Sequence, residues 1–410
     1  NELHHLYVWN FSFKILKSIF IYSICDKVIL SQNDFINIMK IALLLPRSVI
    51  YPSISFDIMD GFKQSLKNMG LEGYHEIISA GIGVAAKNEE IYDHCEQFLL
   101  AGTDIVIGYM NPFSAEFVHP LFEASGKTLI VLDSGYHFPA FNKLSNAWFI
   151  SLQGSLCTRV ITHKAIEDGF RNFAFSCSFY DAGYRPSYVY AAAVEEKGGS
   201  IVFNHITSLK RSDFTLQPLT EFLQKEQDTA VLATFCGDMA EDFFSGSSEM
   251  SSQYKVYGTG FTSDETWLGK IAYPGYDWNA AIAWARNLDI TENKAFVNIM
   301  NGIKHGKANL FSLLGWEAAQ LIGLENTEFS GMIIHSPRGK VYMNPENGFS
   351  EADVYYAIIS KDEETGNCLL KDLRVASVTE AERKGLEGNI EYIKTVEANT
   401  WLNAYACLES

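Results

Sequence analysis

The stretch DIVIGYMNPFSAEFVHPLFEASGKTLIVLDSG, from Asp104 to Gly135, contains two short apolar runs that both end in small or polar residues. The runs Ile105–Ile107 and Leu129–Leu132 have the length and composition of buried strands, and the segment between them has the pattern of a helix. This order of strand, helix and strand is typical of a parallel sheet with helices on both faces.

The same alternation extends along most of the chain. Residues 40–46 and 75–79 predict two earlier strands, and a second series of strands and helices begins near residue 173. We therefore expect two α/β units in tandem, roughly residues 40–155 and 156–275. The later helical and strand-like segments should complete these units, so that the chain crosses between them more than once.

Composition and charge limit the possible functions. The chain has 410 residues, of which 47% are hydrophobic and 20% charged, which leaves room for two packed domains. Its net charge is −17, and such an acidic surface repels phosphate backbones, so we do not expect nucleic acid as a partner. The histidines are scattered without metal-ligand spacing, and we expect neither a metal nor another cofactor.

The cysteines show no pattern of a metal site or a disulfide framework. The seven are Cys25, Cys95, Cys157, Cys177, Cys236, Cys368 and Cys407. No C-x-x-C pair occurs, so we expect buried, reduced thiols, which favour a reducing compartment.

The first 38 residues carry no clear structural period and are expected to lie outside the core. Ile15–Cys25 contains a single charged residue, Lys17, but it is too short for a membrane span. It could be the apolar part of a signal peptide, with Lys14 and Lys17 as the basic region, although no typical cleavage site follows. Residues 1–38 are therefore interpreted as a non-core extension or a degenerate signal.

Three predicted loops should meet at one edge of the first sheet, because ligands bind beyond the carboxyl ends of the strands in an open parallel sheet. The candidate ligand-binding residues in these loops are Ser48, Tyr51, Asn111, Pro112, Phe113, Asp133, Ser134 and Gly135. Asn111 and Pro112 also suit the N-cap and first turn of a helix, so a structural role is an equal alternative for each residue alone.

Several segments resemble those of one protein family. They are the opening stretch, KIALLLPRSVIYPSISFDIMDGFKQSLKNMG, FAFSCSFYDAGYRPSYVYAAAVEEKGGSIV, AYPGYDW and LFSLLGWEAAQLI. Together they are similar to the leucine/isoleucine/valine-type substrate-binding proteins of ABC transporters, over roughly residues 40–360. The resemblance lies in strands, turns and small motifs, so it is specific for the fold and loose for the ligand.

This resemblance implies a type I periplasmic-binding fold, in which two doubly wound α/β lobes are joined by three crossover segments around a hinged cleft. The implied division is lobe 1 at 40–155 and 277–335, lobe 2 at 156–276 and 337–360, and a C-terminal extension packing on the lobes at 361–410. The implied crossovers lie near Ser151–Gln153, Tyr273–Tyr276 and Ser336–Gly339. The segments GKVYMNP and DVYYAIIS also predict a β-hairpin.

The resemblance further implies capture of a small polar ligand, an amino acid by default, without catalysis. The partner would be an ABC permease and the location periplasmic. Tyr184 matches the aromatic residue of lobe 2 that closes over the ligand, and Asp238 and Asp264 are candidates for binding its amine. The chain departs from the family at Pro112, where a hydroxyl residue is expected, and at Phe261, near which an acidic residue is expected.

In the family, a hydroxyl residue holds the carboxylate of an α-amino acid and an acidic residue holds its amine. The two departures alter both of these side chains. Asn111 or Ser114 could replace the missing hydroxyl, and Phe261 remains a candidate for packing against the ligand. Asp133, at a strand end, would suit a cationic or amide ligand.

Two other functions remain open. A cytoplasmic small-molecule sensor on the same fold would agree better with seven cysteines and the weak signal sequence. A nucleotide-dependent α/β enzyme is suggested by GIGVAA, residues 81–86, which reads as G-x-G-x-x-A between a strand and a helix. This motif follows the second predicted strand, whereas a dinucleotide site follows the first, and acidic residues at the next helix start would repel a pyrophosphate.

Deleting residues 1–38 should leave the melting temperature of the protein nearly unchanged, because they are expected to contribute little to the core. Differential scanning calorimetry on the full and shortened chains measures this. A loss of more than about 2–4 °C, equivalent to ~1 kcal/mol for a protein of this kind, would show that they belong to the fold.

Overall fold

The computed structural model describes residues 38–84, 86–137, 141–179, 185–208, 210–248, 250, 253–323 and 329–395. The predicted N-terminal extension, apart from Ile38, lies outside the described residues, as do Tyr184 and residues 396–410.

Lobe 1 is built on a five-stranded parallel sheet with strand order β2-β1-β3-β4-β5. Its elements are β1 (Lys40–Arg47), α1 (Ile54–Asn68), β2 (Glu76–Gly83), α2 (Asn88–Leu100), β3 (Ile105–Tyr109), α3 (Pro112–Ser125), β4 (Thr128–Asp133) and β5 (Ala147–Ser151). β3 and β4 contain the two apolar runs of the opening stretch, and every residue of both strands is buried, as expected for a sheet covered on both faces.

Lobe 2 is built on a seven-stranded mixed sheet with strand order β15-β14-β10-β9-β8-β6-β7. Its elements begin with α4 (Gly154–Glu167), β6 (Asn172–Cys177), α5 (Arg185–Glu196), β7 (Ser200–Ile206), α6 (Gln217–Leu223), β8 (Thr229–Thr234), α7 (Gly237–Ser247), β9 (Val256–Gly258), α8 (Glu265–Leu268) and β10 (Trp278–Ile282). After β10 the chain returns to lobe 1.

The return segment supplies two helices to lobe 1, α9 (Thr291–Gly302) and α10 (Leu310–Ile322). α10 packs closely on α1 through two glycines. A Cβ atom on Gly61 would lie 1.9 Å from the carbonyl oxygen of Ser312, and one on Gly315 would lie 2.1 Å from that of Ile58. The two helix backbones therefore touch at positions where only glycine fits.

A small third sheet, absent from the sequence-based expectation, lies beside β5. It consists of β11 (Ile333–Ser336), β12 (Gly339–Met343) and β13 (Ser350–Glu351), and the backbone N–H of Phe149 donates to the carbonyl of Gly348 at 2.9 Å. The chain then enters lobe 2 as β14 (Tyr355–Lys361), β15 (Cys368–Val375) and the C-terminal helix α11 (Glu380–Thr395).

The two-lobed α/β architecture expected from the sequence is present, but two crossovers lie elsewhere. The second follows β10, since residues 278–282 pair with β9 and β14 of lobe 2. The third follows β13, because Pro337 and Arg338 form a two-residue turn that reverses the chain within the small sheet. For the same reason GKVYMNP and DVYYAIIS do not pair with each other: β12 pairs with β11 and β13, and β14 with β10 and β15.

A fully buried ion pair ties these segments together. Arg338 and Glu317 both have 0% exposed side chains, and the guanidinium Nε and Nη2 donate to the two carboxylate oxygens at 2.7 and 2.8 Å. Arg338 Nη1 donates to the carbonyl of Ser151 at 2.9 Å, and Tyr355 donates its hydroxyl to the carbonyl of Arg338 at 2.9 Å. The pair thus joins α10 to the ends of β5 and the start of β14, beside the first and third crossovers.

Removing one member of this pair should destabilise the fold strongly. Glu317→Gln or Arg338→Met leaves an uncompensated buried group and should lower the free energy of unfolding by about 3–5 kcal/mol. The double variant Glu317→Leu/Arg338→Met removes both charges and should recover most of that loss. Urea denaturation measures all three, and single variants that unfold like the parent would contradict a structural role for the pair.

Candidate ligand site between the lobes

The carboxyl ends of the lobe 1 strands face those of lobe 2, and their loops touch. Tyr51, which follows β1, donates its hydroxyl to Asp264 Oδ2 at 2.9 Å. Tyr136, which follows β4, stacks on Phe261, which follows β9, with ring centroids 4.0 Å apart and planes inclined by 27°. Both contacts join one lobe to the other, so the structure is closed at this edge.

Asp264 and Tyr51 are held in place by their own lobes. Asp264 caps the short helix α8, where its carboxylate accepts the N–H of Thr266 at 2.9 Å. Burial raises the pKa of Asp264, against the lowering by these hydrogen bonds. The backbone N–H of Tyr51 donates to the hydroxyl of Ser48 at 3.0 Å, which fixes the loop after β1.

The loop after β3 has a structural role at Asn111. Asn111 is the N-cap of α3, where its Oδ1 accepts the N–H of Ser114 at 2.9 Å, and Pro112 occupies the first turn. The ring of Phe113 meets His137 edge-on, with centroids 6.5 Å apart. The capping alternative considered from the sequence therefore describes Asn111.

Asp133, at the end of β4, is an almost completely buried carboxyl group. It is 1% exposed, and its Oδ2 accepts the hydroxyl of Ser151 at 3.1 Å, whereas Oδ1 has no hydrogen-bond partner in the described part of the chain. Burial raises the pKa of Asp133 to about 7, although the amides of Gly135 and Ser134 and the Ser151 hydroxyl favour the ionised form. Burial and the nearby Asp133 also raise the pKa of Tyr109, on the neighbouring strand β3.

Gly135 lets the loop after β4 pass close to the first crossover. Its φ is +79°, and a Cβ atom there would lie 2.5 Å from the backbone nitrogens of Gln153 and Gly154. Only glycine combines this left-handed conformation with so close an approach.

Alternate residues of this loop face two different hollows. Ser134 and Tyr136 line a cavity of about 30 Å³ between the lobes, which has room for about one water molecule. Asp133, Gly135 and His137 line a groove of about 1010 Å³. It lies on the other side of residues 151–154, where the chain first crosses from lobe 1 to lobe 2. The predicted residues Asp133 and Ser134 are therefore neighbours in sequence that face different spaces.

The groove is bounded by both lobes and by the small third sheet. Its remaining walls are Phe141, Asn142, Ser151, Gln153, Ser155, Leu156, residues of the segment 342–351 and residues of α11 from Glu380 to Gly388. Its volume is large enough for a small organic ligand.

Sequence reasoning missed the wall formed by α11. Arg383 donates from Nη1 to Gln153 Oε1 at 3.2 Å, and its Nε lies 3.8 Å from Glu351 Oε2. No local motif identifies Arg383, since it meets Gln153 only after the chain has returned to lobe 2.

α11 is docked on lobe 2 by charged groups. Glu382 accepts hydrogen bonds from Arg159 Nε and His163 Nδ1 of α4, both at 2.8 Å. Although burial opposes the shift, these partners lower the pKa of Glu382. Arg159 also contacts Glu196 of α5 at 2.6 Å, so α11 is anchored beside the groove.

A further predicted residue, Asp238, is not brought to the groove. Asp238, in the first turn of α7, lies 3.4 Å from Nη1 of Arg211 and lines neither hollow. Its carboxylate and those of Glu241 and Asp242 raise the pKa of Arg211, with Asp242 contributing most. Tyr184 lies outside the described residues.

Among the described residues, no group of three or more His, Cys, Asp or Glu side chains could hold a metal ion. Within the same part of the chain, no helix has the length and apolar composition needed to cross a membrane. Cys95, Cys157, Cys177 and Cys368 are buried thiols outside disulfide bonds, as expected, whereas Cys236 is disulfide-bonded.

Several solved structures with the same architecture are described as binding proteins of ABC transporters. A solute-binding protein of an ABC transporter from R. palustris, in complex with benzoate, matches with a TM-score of 0.67 and 18% identity over 84% of this chain and 98% of that chain. An ABC transporter substrate-binding protein from Sphaerobacter thermophilus matches with a TM-score of 0.71 and 16% identity over 83% of this chain and 98% of that one.

A branched-chain amino acid ABC-type transporter from Rhodopseudomonas palustris matches with a TM-score of 0.61 and 15% identity over 84% and 97% of the two chains. No family model matches the chain, and no curated protein does. The chain has the type I periplasmic-binding fold, so this expectation from the sequence is confirmed; at these identities the likeness establishes the fold alone.

Breaking the contact between Tyr51 and Asp264 should favour the open arrangement of the lobes. Tyr51→Phe removes a hydrogen bond to a buried carboxyl group, typically ~1.5–3 kcal/mol for a charged partner. Spin labels at the exposed Leu100 of lobe 1 and Val202 of lobe 2 should then report a larger fraction of long distances. Tyr74→Phe, at an exposed tyrosine of lobe 1, is the control; identical distance distributions in all three proteins would contradict this role of Tyr51.

Proposed function

We propose that this chain is a substrate-binding protein of the ABC-transporter type, which captures a small amino or amide compound between its lobes by hinge closure and has no catalytic activity. The observation that carries the proposal is the unpartnered Oδ1 of Asp133, buried at a strand end and facing the interlobe groove. The two lobes and three crossovers support it, as do the structural neighbours, which are described as solute-binding or substrate-binding proteins of ABC transporters.

The chemistry of Asp133 favours a ligand that donates hydrogen bonds. A carboxylate taken out of water needs partners. The Ser151 hydroxyl donates to Oδ2 and the amides of Gly135 and Ser134 favour the ionised form, but Oδ1 has no hydrogen-bond partner in the described part of the chain. A ligand amine or amide N–H supplies the missing donor. Several of the neighbours were solved in complex with benzoates, which carry a carboxylate that an ionised Asp133 would repel.

Hinge motion is proposed because the groove has walls from both lobes, so a ligand that touches both favours one relative orientation of the lobes over the others. The contacts between Tyr51 and Asp264 and between Tyr136 and Phe261 have to break for the lobes to open.

The proposed partner is an ABC permease, and the proposed location is the periplasm, both by analogy with the structural neighbours. A cytoplasmic sensor with the same fold is the alternative. The disulfide bond of Cys236 supports an oxidising compartment over the cytoplasm.

The function is tested by identifying small molecules that remain bound through native purification. Native mass spectrometry of the full chain should show a bound compound. The Leu100 and Val202 spin labels should report a shift towards short distances when that compound is added back. Binding without any change in the distance between the lobes would contradict capture by closure.

The pH dependence of binding should reveal the charge of the ligand. The pKa of Asp133 is raised to about 7 by burial, and an ammonium ligand binds its ionised form. Affinity should therefore rise roughly tenfold per pH unit below 7 and level off above it. Asp133→Asn should lower the affinity by roughly 1.5–3 kcal/mol at pH 8 and flatten this dependence in isothermal titration calorimetry. Affinity that instead falls as pH rises would indicate a carboxylate ligand and a protonated Asp133.

The same group should affect stability without ligand. Because burial raises the pKa of Asp133 above its ordinary value of 3.8, the folded chain holds a proton that the unfolded chain releases between pH 4 and 7. Stability should therefore fall as pH rises through this range, by up to ~4 kcal/mol from this group. Asp133→Asn should unfold at a higher urea concentration than the parent at pH 8, and the advantage should vanish near pH 4; a variant that is less stable at pH 8 would show that Asp133 is structural.

A further inference from the structure

One side chain ties the first crossover to the third. Gln153, which is 8% exposed, donates from Nε2 to the carbonyl of Ala352 at 3.0 Å, and its Oε1 accepts the N–H of Ala352 at 3.3 Å. Gln153 follows β5 and Ala352 follows β13, so each lies where the chain leaves for lobe 2. Because one amide pairs with both backbone groups of Ala352, the two segments are fixed to each other.

Gln153 also has a backbone conformation that is uncommon for residues other than glycine. Its φ of +53° and ψ of 37° lie in the left-handed helical region. Such a conformation persists where the surrounding structure fixes it, and here the ties to Ala352 and a hydrogen bond from Arg383 Nη1 at 3.2 Å do so. The crossover therefore has a fixed point at Gln153.

The two lobes meet on both sides of these tied segments. Leu152 and Gly154 line the small cavity on one side, whereas Ser151 and Ser155 line the groove on the other. A rotation of one lobe against the other about the tied segments therefore moves the walls of the cavity and of the groove in opposite senses.

The contacts on the cavity side are complete. They are the hydrogen bond of Tyr51 to Asp264 at 2.9 Å and the stacking of Tyr136 on Phe261 at 4.0 Å, and together they are called the front contacts below. No further approach of the lobes is possible there without overlap of atoms.

The contact across the groove is incomplete. Arg383 of α11, which packs on lobe 2, faces Glu351 of the small third sheet, which pairs with β5 of lobe 1. Arg383 Nε and Glu351 Oε2 are 3.8 Å apart, which is longer than a hydrogen bond. The lobes are thus fully together at the front contacts and have room to approach each other across the groove.

We infer that Gln153 is the hinge residue of a reciprocal motion, in which separation of the front contacts narrows the groove and closure of the front contacts widens it. The structure shows the end of this motion with the wide groove. An occupant of the groove that keeps its walls apart therefore stabilises the front contacts, although it touches none of their four side chains. The inference concerns the motion itself and goes beyond the proposed ligand.

The test measures two distances in the full chain by spin labelling, without any ligand. One pair of labels is at Val49, two residues before Tyr51, and Lys270, six residues after Asp264. The other is at Glu346 and Glu387, exposed residues on opposite walls of the groove. Tyr51→Phe removes the hydrogen bond of the front contacts, and Phe261→Leu removes their stacking.

At least one of these variants should populate a form in which the front pair lengthens and the groove pair shortens, each by more than ~2 Å. Tyr74→Phe should leave both distances as in the parent. Lengthening of both pairs together, a front pair that lengthens at constant groove distance, or no change in either variant would each overturn the reciprocal motion.

Variants at Gln153 test its role as the hinge residue. Asparagine tolerates the left-handed conformation, but its side chain is one methylene shorter and loses the tie to Ala352. Gln153→Asn, and Gln153→Gly as a second variant that accepts the same backbone, should therefore uncouple the two distances when combined with Tyr51→Phe. Asn142→Ala, at an exposed residue of the groove, is the matched control and should keep them coupled. Coupling that survives in both Gln153 variants would show that another residue is the hinge.

Failure of this inference can be told apart from failure of the proposed function. If the two distances change in opposite senses but native mass spectrometry finds no bound compound, the reciprocal motion stands and ligand capture is wrong. If a compound binds and both distances change in the same sense, ligand capture stands and the reciprocal motion is wrong.

Discussion

The buried pair of Arg338 and Glu317 is the interaction on which the connection between the lobes depends. A guanidinium with no access to water needs its charge and its donors matched at fixed positions, and here Glu317 and the Ser151 carbonyl provide them. Because Ser151 and Tyr355 lie beside two different crossovers, the pair keeps both at one place. A desolvated ion pair adds little net stability over a pair of apolar residues of similar size. The contribution of Arg338 and Glu317 is therefore to fix the relative positions of the two crossovers.

The sequence predicted those parts of the fold whose signal is local. The apolar runs Ile105–Ile107 and Leu129–Leu132 are strands because a covered parallel sheet requires continuous burial. The second and third crossovers lie at other residues than the sequence predicted. The pairing partner of a strand such as Trp278–Ile282 depends on distant residues, which a local pattern does not reveal. The small third sheet was missed because its turn at Pro337 resembles a linker until its pairing partners are known.

The candidate site was predictable to a similar extent. The sequence pattern predicts that Asp133 lies at the carboxyl end of a strand, and the structure places it there. It does not predict that Oδ1 of its carboxylate lacks a partner, because that depends on the position of Ser151. Period-two alternation separates Asp133 from Ser134, and the sequence argument grouped the two by loop instead of by side-chain direction. Arg383 comes from a helix more than two hundred residues further along the chain, so no spacing rule relates it to the groove.

The discontinuity of both lobes has a consequence for biosynthesis. Lobe 1 lacks α9 and α10 until about residue 322 has been made, and the large sheet of lobe 2 lacks β14 and β15 until residue 375. Lobe 1 therefore cannot finish folding before residue 322 has been made, nor lobe 2 before residue 375, although domains commonly fold one after another during translation. Both must hold unpaired strand edges and uncovered helix faces until the last quarter of the chain emerges, and α11 then closes the groove wall as one of the final steps.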